Sequence, residues 1–195
     1  NLTIMTDPKG FKTDYILNTD GTVKDMKQYS RYVRSGDPSY YLTSYVYNTN
    51  RERIRILYPL GNWVKYTYDD NKGNCIEIRK KGRGVSDIND PSNDIVTCFA
   101  YEGRSNFIKA MTDPKGNTTT YYYDYEETYF GDLNGDGVIN SNKGNLVKIK
   151  YPAVDGQPPE AKLIYNVYGQ ITQSIDPNGN VTKYDYDPTT GYLIK

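Results

Sequence analysis

The sequence predicts an all-β fold made of antiparallel hairpins that follow one another along the chain. Two observations support this prediction. One pattern of alternating residues recurs four times, and clusters of turn-forming residues lie on both sides of each copy. No stretch shows the sustained period of about 3.6 residues that is typical of an amphipathic helix. We therefore expect about fourteen short strands and almost no helix.

The four copies align without gaps from a glycine, and they begin at Gly10, Gly61, Gly116 and Gly179. The third position after the glycine holds Thr or Val, and the seventh holds Tyr or Leu. The fifth position holds Tyr15, Tyr66, Tyr121 and Tyr184. Residues between these positions, such as Lys12, Lys65 and Asp185, are polar, and side chains alternate between the two faces of a strand. The pattern thus predicts one packed face and one solvated face.

Turn residues bound each copy. An Asp-Pro-x-Gly sequence precedes most copies and favours a type I turn. An Asp, Asn or Glu follows each strand, and we call this residue the anchor. The seven anchors are Asn18, Asn48, Asp69, Glu102, Asp124, Asn166 and Asp187. Their spacing divides residues 1–195 into about seven units of about 21 residues, with loops inserted near 34–39, 81–94 and 129–143.

The pattern DPxGNxTxYxYDxxGxL resembles the YD repeat, also called the rearrangement-hot-spot (RHS) repeat. The best copies lie at 113–124 and 176–193. This family includes bacterial Rhs and wall-associated proteins, toxin-complex shells and teneurins. The resemblance implies tandem β-hairpins wound into a spiral or solenoid sheet, as a segment of a shell, barrel or filament.

The resemblance also implies a function. The chain would be a non-catalytic structural segment of a large secreted or cell-surface protein, part of a β-shell that encapsulates or displays another module. Its partners would be further YD repeats of the same or a longer chain and an encapsulated C-terminal module. The alternative is a self-associating extracellular filament or adhesion module, because exposed strand edges favour end-to-end association. Such a module would bind glycans or copies of itself.

Composition excludes several other classes. The 24 Lys and Arg residues balance 24 Asp and Glu residues, so no basic surface for nucleic acid or an anionic membrane is expected. No apolar run approaches the roughly 18 residues of a membrane-spanning helix. The chain has no histidine, which removes histidine-based nucleophile activation, general bases and metal ligands. We therefore expect no enzyme activity, although a glycosidase with paired carboxylates is a third hypothesis.

The sequence DLNGDGVINSNK, residues 132–143, predicts a calcium-binding loop. Alternate oxygen ligands on a tight turn suit Ca²⁺, which takes about 6–8 oxygens. The predicted ligands are Asp132, Asn134, Asp136, the carbonyl of Val138, and Asn140. Lys143 replaces the usual acidic residue at the end of the loop. We expect the missing carboxylate to come from upstream, from Asp124, Glu126 or Glu127. The alternative is a hairpin loop without metal.

Two further sets of residues allow covalent modification. Cys75 and Cys98 lie on predicted strands that flank the 81–94 loop, where a hairpin would pair them as a disulfide. The alternative is two buried thiols. Asn-x-Ser/Thr glycosylation sequons occur at Asn1, Asn117 and Asn180. The alternative for these asparagines is a role in the turns.

Overall fold

The computed structural model describes residues 1–30, 34–81, 92–139 and 143–195. It confirms the all-β prediction. The described residues form fourteen strands, one 3₁₀ turn at Asp124–Glu126 and one short helix, α1, at Glu127–Phe130. The strands are β1 (Leu2–Thr6), β2 (Lys12–Leu17), β3 (Val23–Tyr29), β4 (Tyr40–Tyr47), β5 (Arg53–Leu57), β6 (Trp63–Tyr68), β7 (Cys75–Lys81), β8 (Ile95–Tyr101), β9 (Ile108–Thr112), β10 (Thr118–Tyr123), β11 (Leu146–Lys150), β12 (Glu160–Tyr165), β13 (Ile171–Ile175) and β14 (Val181–Lys183). No helix in these residues is long and apolar enough to cross a membrane.

Strand order in the sheet follows chain order from β1 to β14, and the pairing is antiparallel. This order confirms the prediction of successive hairpins. The chain divides into two compact units, Asn1–Cys98 and Phe99–Lys195. The boundary lies within β8.

The anchors close the hairpin turns with their side chains. In five of the seven, a side-chain oxygen accepts backbone N–H groups of the turn that follows, and Asp124 accepts the N–H of Gly144 at the end of the inserted segment. Asn166 is typical, because its Oδ1 accepts the N–H groups of Tyr168 and Gln170 at 3.0 Å each. In Asn18, the side-chain amide instead donates to the Thr22 hydroxyl at 2.9 Å. The anchor therefore supplies the acceptor that turn N–H groups require.

A β-bulge lies directly before five of the anchors. The register shifts at Ile16/Leu17, Val46/Tyr47, Thr67/Tyr68, Tyr122/Tyr123 and Ile164/Tyr165. In each case the extra residue lies on the strand after the anchor, as Thr172 does on β13. The sequence pattern gave no signal of these bulges, because alternation alone describes a regular ladder.

Four tyrosines before an anchor use their hydroxyl groups in the same way. Each donates a hydrogen bond to the backbone carbonyl of the first residue of the preceding strand. The pairs are Tyr68 to Arg53 at 3.1 Å, Tyr123 to Ile108 at 2.8 Å, Tyr165 to Leu146 at 2.8 Å, and Tyr186 to Ile171 at 2.9 Å. We call this contact the tyrosine lock. It fastens the end of one strand to the beginning of its neighbour.

The predicted division into a packed face and a solvated face is only partly observed. Tyr15, Tyr66, Tyr121 and Tyr184 are half-buried. Asp14 occupies a position expected to be solvated, yet it is only 6% exposed. Its carboxylate is paired with Lys12 at 3.1 Å and accepts the Tyr29 hydroxyl at 2.9 Å. Both faces of the sheet therefore bury side chains, and polar groups on the second face are compensated locally.

The tyrosine lock makes a measurable contribution to stability. Tyr165→Phe removes the donor to Leu146 and leaves that carbonyl without its partner, which costs about 1 kcal/mol. Tyr168→Phe is the matched control, because Tyr168 lies in the next turn and is 85% exposed. Urea unfolding of both variants measures the difference. Equal free energies of unfolding for the two variants would show that the lock does not stabilise the hairpin.

Stability should fall in acid because turn aspartates are hydrogen-bonded. The Asn117 side chain lowers the pKa of Asp113, and the Asn180 side chain lowers the pKa of Asp176. A folded-state pKa below the unfolded one adds stability above the unfolded value. This stability is lost as pH falls through the folded pKa.

We expect the urea midpoint to be constant near neutral pH and to drop below about pH 4, the ordinary pKa of aspartate. Asp113→Asn with Asp176→Asn should flatten this drop. An unchanged slope in the double variant would assign the acid sensitivity to other groups.

Candidate functional site

The predicted calcium loop lies between α1 and β11 and wraps around one carboxylate. Asp132 accepts the N–H groups of Gly135 at 2.7 Å, Asp136 at 3.2 Å and Gly137 at 2.8 Å. These bonds, led by that from Gly137, lower the pKa of Asp132 and keep it ionised. Gly135 and Gly137 have positive φ angles of 80° and 81°, which side chains rarely adopt. The tight path of the loop therefore depends on both glycines.

Asn134 joins the loop to the sheet. Its side-chain amide donates to the Leu163 carbonyl on β12 at 3.0 Å, and its Oδ1 accepts the Asp136 N–H at 3.1 Å. The residue is only 2% exposed. Asp136 in turn accepts the Val138 N–H at 2.8 Å. Asn134 thus has a structural role in addition to the ligand role that the sequence predicts.

The oxygen atoms of the loop fit a hard cation in type and order. Two carboxylates and one amide oxygen alternate within one turn, as calcium loops require. A carboxylate has about four lone-pair positions, and these N–H bonds leave some of them open on Asp132 and Asp136. No group of three or more acidic residues or cysteines within the described ranges is placed to hold a metal. Asn140 lies outside the described residues. Calcium binding therefore stays a prediction.

The three upstream carboxylates have different roles in the structure. Glu126 pairs with Lys109 and accepts the Tyr123 N–H at 2.9 Å. Asp124 accepts the Gly144 N–H at 2.8 Å and is 1% exposed. Glu127 has no exposed surface, and its Oε1 accepts the Leu133 N–H at 3.2 Å. Of the three, Glu127 contacts the loop next to its first ligand, so it is the best candidate for the missing carboxylate.

The loop also belongs to the core of the second unit, which the sequence did not indicate. Leu133 is 8% exposed and Val147 on β11 is 1% exposed, and Tyr125 is buried with them. Burial of Leu133 and Asn134 means that the 129–143 segment is not a detachable insertion. The other predicted loops differ: residues 34–39 connect β3 to β4 on the surface, and most of 81–94 lies outside the described residues.

The two cysteines occupy neighbouring strands but not opposite positions. Cys98 on β8 lies opposite Glu77 on β7, so Cys75 is its diagonal neighbour. Diagonal positions are about 7–8 Å apart, beyond the usual Cα separation of a disulfide. Cys98 is exposed and Cys75 is half-buried, and no disulfide joins them in the structure. The register thus disfavours the predicted pair without a shift of the backbone.

The sequon asparagines at the turns are exposed but engaged. The Asn117 side chain donates to Asp113 at 2.9 Å, and the Asn180 side chain donates to Asp176 at 2.8 Å. These contacts give both residues the turn role that was the alternative to glycosylation. Asn1 is exposed before β1, and its N-terminal amine donates to the Leu17 carbonyl. Modification of the three sites stays a prediction.

Comparison with known proteins gives matches in structure only. No family model matches the sequence, and no curated protein matches it. The chain aligns over 98% of its length with 9% of the chain in the crystal structure of TcdB2-TccC3-Cdc42, with a TM-score of 0.69 and 14% identity. The chain shares the fold of a segment of these toxin-complex proteins.

Two further structures give the same result. The crystal structure of TcdB2-TccC3 matches with a TM-score of 0.68 and 14% identity, over 98% of this chain and 10% of that one. The Tc holotoxin pore of Photorhabdus luminescens matches with a TM-score of 0.69 and 14% identity, over 98% of this chain and 9% of that one. This chain spans about a tenth of the length of the proteins it matches. The likeness supports the YD-repeat resemblance at the level of the fold.

Proposed function

We propose that this chain is a non-catalytic structural segment of a larger YD-repeat protein of the cell surface or secreted medium. In that protein, further repeats continue its sheet and enclose or display another module. Two features support the proposal. The hairpins are joined in chain order by pairing and by the tyrosine lock, an arrangement that can be extended at its edges. The fold also matches segments of the much longer Tc toxin proteins.

The outer edge of β1 is the observation that carries the proposal. Within the described residues β1 pairs only with β2, and Leu2, Ile4 and Met5 are 58%, 56% and 50% exposed. Asn1 and Leu17 exchange backbone hydrogen bonds. Because bonded pairs alternate along an antiparallel ladder, the N–H of Ile4 points away from β2. β1 therefore presents unpaired donors and apolar side chains to a further strand.

Sedimentation tests this edge. We expect the mean mass of the purified chain to rise with concentration, because β1 edges pair with other strands. Ile4→Pro removes an outward N–H and should abolish association, since proline blocks edges without breaking the inner ladder. Ile4→Ala is the control that keeps the N–H. A wild-type chain that stays monomeric at every concentration, or an Ile4→Pro chain that associates equally, would contradict the proposal.

We also propose that the 132–143 loop binds Ca²⁺ through Asp132, Asn134, Asp136, the Val138 carbonyl and Asn140, with Glu127 as the additional carboxylate. The cation would offset the negative charges of Asp132 and Asp136, which lie on one loop. Because the loop contributes to the core, bound Ca²⁺ should stabilise the second unit as well as the loop.

Calorimetric titration and thermal unfolding test the calcium site. Wild-type protein should bind Ca²⁺ and unfold at higher temperature in its presence. Glu127→Gln should weaken binding by about tenfold, the effect of one lost charge-assisted ligand. Glu126→Gln is the control, because the wild-type Glu126 carboxylate pairs with Lys109. This variant should bind Ca²⁺ as the wild-type protein does. Absence of binding at millimolar Ca²⁺ would show that the segment is a metal-free turn.

A further inference from the structure

A cavity of about 470 Å³ opens on β5, β6 and β7 of the first unit. Its volume lies within the range of about 300–1,000 Å³ that is typical of small-molecule sites. Its polar and aromatic lining comes from Arg55, Trp63, Lys65, Glu77, Arg79 and Asp94. None of these residues is an anchor, a member of the tyrosine lock or part of the predicted calcium loop.

One wall of the cavity is a fixed ion network. Arg79 pairs through two nitrogens with Glu77 at 3.0 and 3.2 Å, and through a third with Asp94 at 2.8 Å. Lys81, whose side chain is completely buried, lies 3.1 Å from Asp94. The bond from Arg79 is the main reason that the pKa of Asp94 lies below its ordinary value. This wall is therefore rigid, and its two acids are already balanced by two cations.

Two further cations line the cavity beside this wall. Arg55 and Lys65 are direct cross-strand neighbours, and Lys65 is in turn opposite Arg79. Like charges in directly opposite positions destabilise a sheet. No ion pair to Arg55 or Lys65 is found among the described residues. Within the part of the chain that the structure describes, the cavity thus holds two cations without an ion-pair partner.

We propose that this cavity binds a carboxylate-bearing sugar, with the carboxylate between Arg55 and Lys65. The lone pairs of Glu77 that Arg79 leaves open accept sugar hydroxyl groups. Trp63, which is only 6% exposed, lines the cavity beside the sugar ring.

The lining favours a sugar acid over other anions. A phosphate dianion would be repelled more strongly than a single carboxylate by Glu77 and Asp94 on the neighbouring wall. A simple carboxylate would leave the acceptors of Glu77 without contacts, whereas a sugar acid also brings hydroxyl groups to them beside the cation pair.

The only tryptophan of the chain reports on this site directly. Trp63 fluorescence, together with calorimetry, is followed while the full chain is titrated with glucuronate, glucose or acetate. We expect saturable millimolar binding of glucuronate and at least about tenfold weaker binding of glucose and acetate, because each lacks one set of contacts. Added salt should weaken glucuronate binding, since partly exposed cations are screened.

Charge variants complete the experiment. Arg55→Gln with Lys65→Gln should reduce glucuronate affinity by about tenfold or more. Lys24→Gln with Lys80→Gln removes the same charge from exposed positions outside the cavity and should change nothing. Unfolding midpoints verify that each variant folds. If a variant does not fold, the salt dependence of glucuronate binding to the wild-type protein still tests the role of the two cations.

Three outcomes would overturn the proposal. Glucose that binds as tightly as glucuronate would show that the cations are not used. Acetate that binds as tightly would reduce the cavity to a simple anion site. If glucuronate produces neither heat of binding nor a change in Trp63 fluorescence, no sugar acid binds in the cavity.

Discussion

The structure depends on how the hairpin turns satisfy their backbone N–H groups. A turn has no neighbouring strand to accept these donors, so a side chain must supply the oxygen. The anchor does this, as when Asn166 accepts two turn N–H groups and Asp187 does the same in the next hairpin. The turn geometry sets the strand register, and the register decides which side chains meet across the sheet.

The tyrosine lock adds a connection between strands to this local device. The tyrosine before the anchor donates its hydroxyl to the first carbonyl of the preceding strand, as Tyr165 does to Leu146. Burial raises the pKa of Tyr165, so this hydroxyl stays a donor at any physiological pH. Stability in such an array is shared between neighbours rather than concentrated in one core. That property suits a protein that is extended by adding repeats.

The two units add different features to this frame. In the first, charged residues are buried on the sheet face, and the network of Arg79, Asp94 and Lys81 beside Trp63 shapes a cavity. In the second, the segment after β10 contributes to the core, because Leu133 and Glu127 are buried and the Leu133 N–H donates to Glu127. Departures from the repeat therefore produce the candidate binding sites, while the repeat itself supports them.

The sequence by itself determined the strands, the turns and the order of the hairpins, because these depend on residues only a few positions apart. Asp176, Pro177 and Gly179 specify their turn without help from the rest of the chain. Only the tertiary structure decided the tyrosine locks, the burial of Asp14 and Glu127, and the row of Arg55, Lys65 and Arg79. Those features need contacts between strands, and one bulge changes which residues face each other. Alternation in a single strand carries no information about that shift.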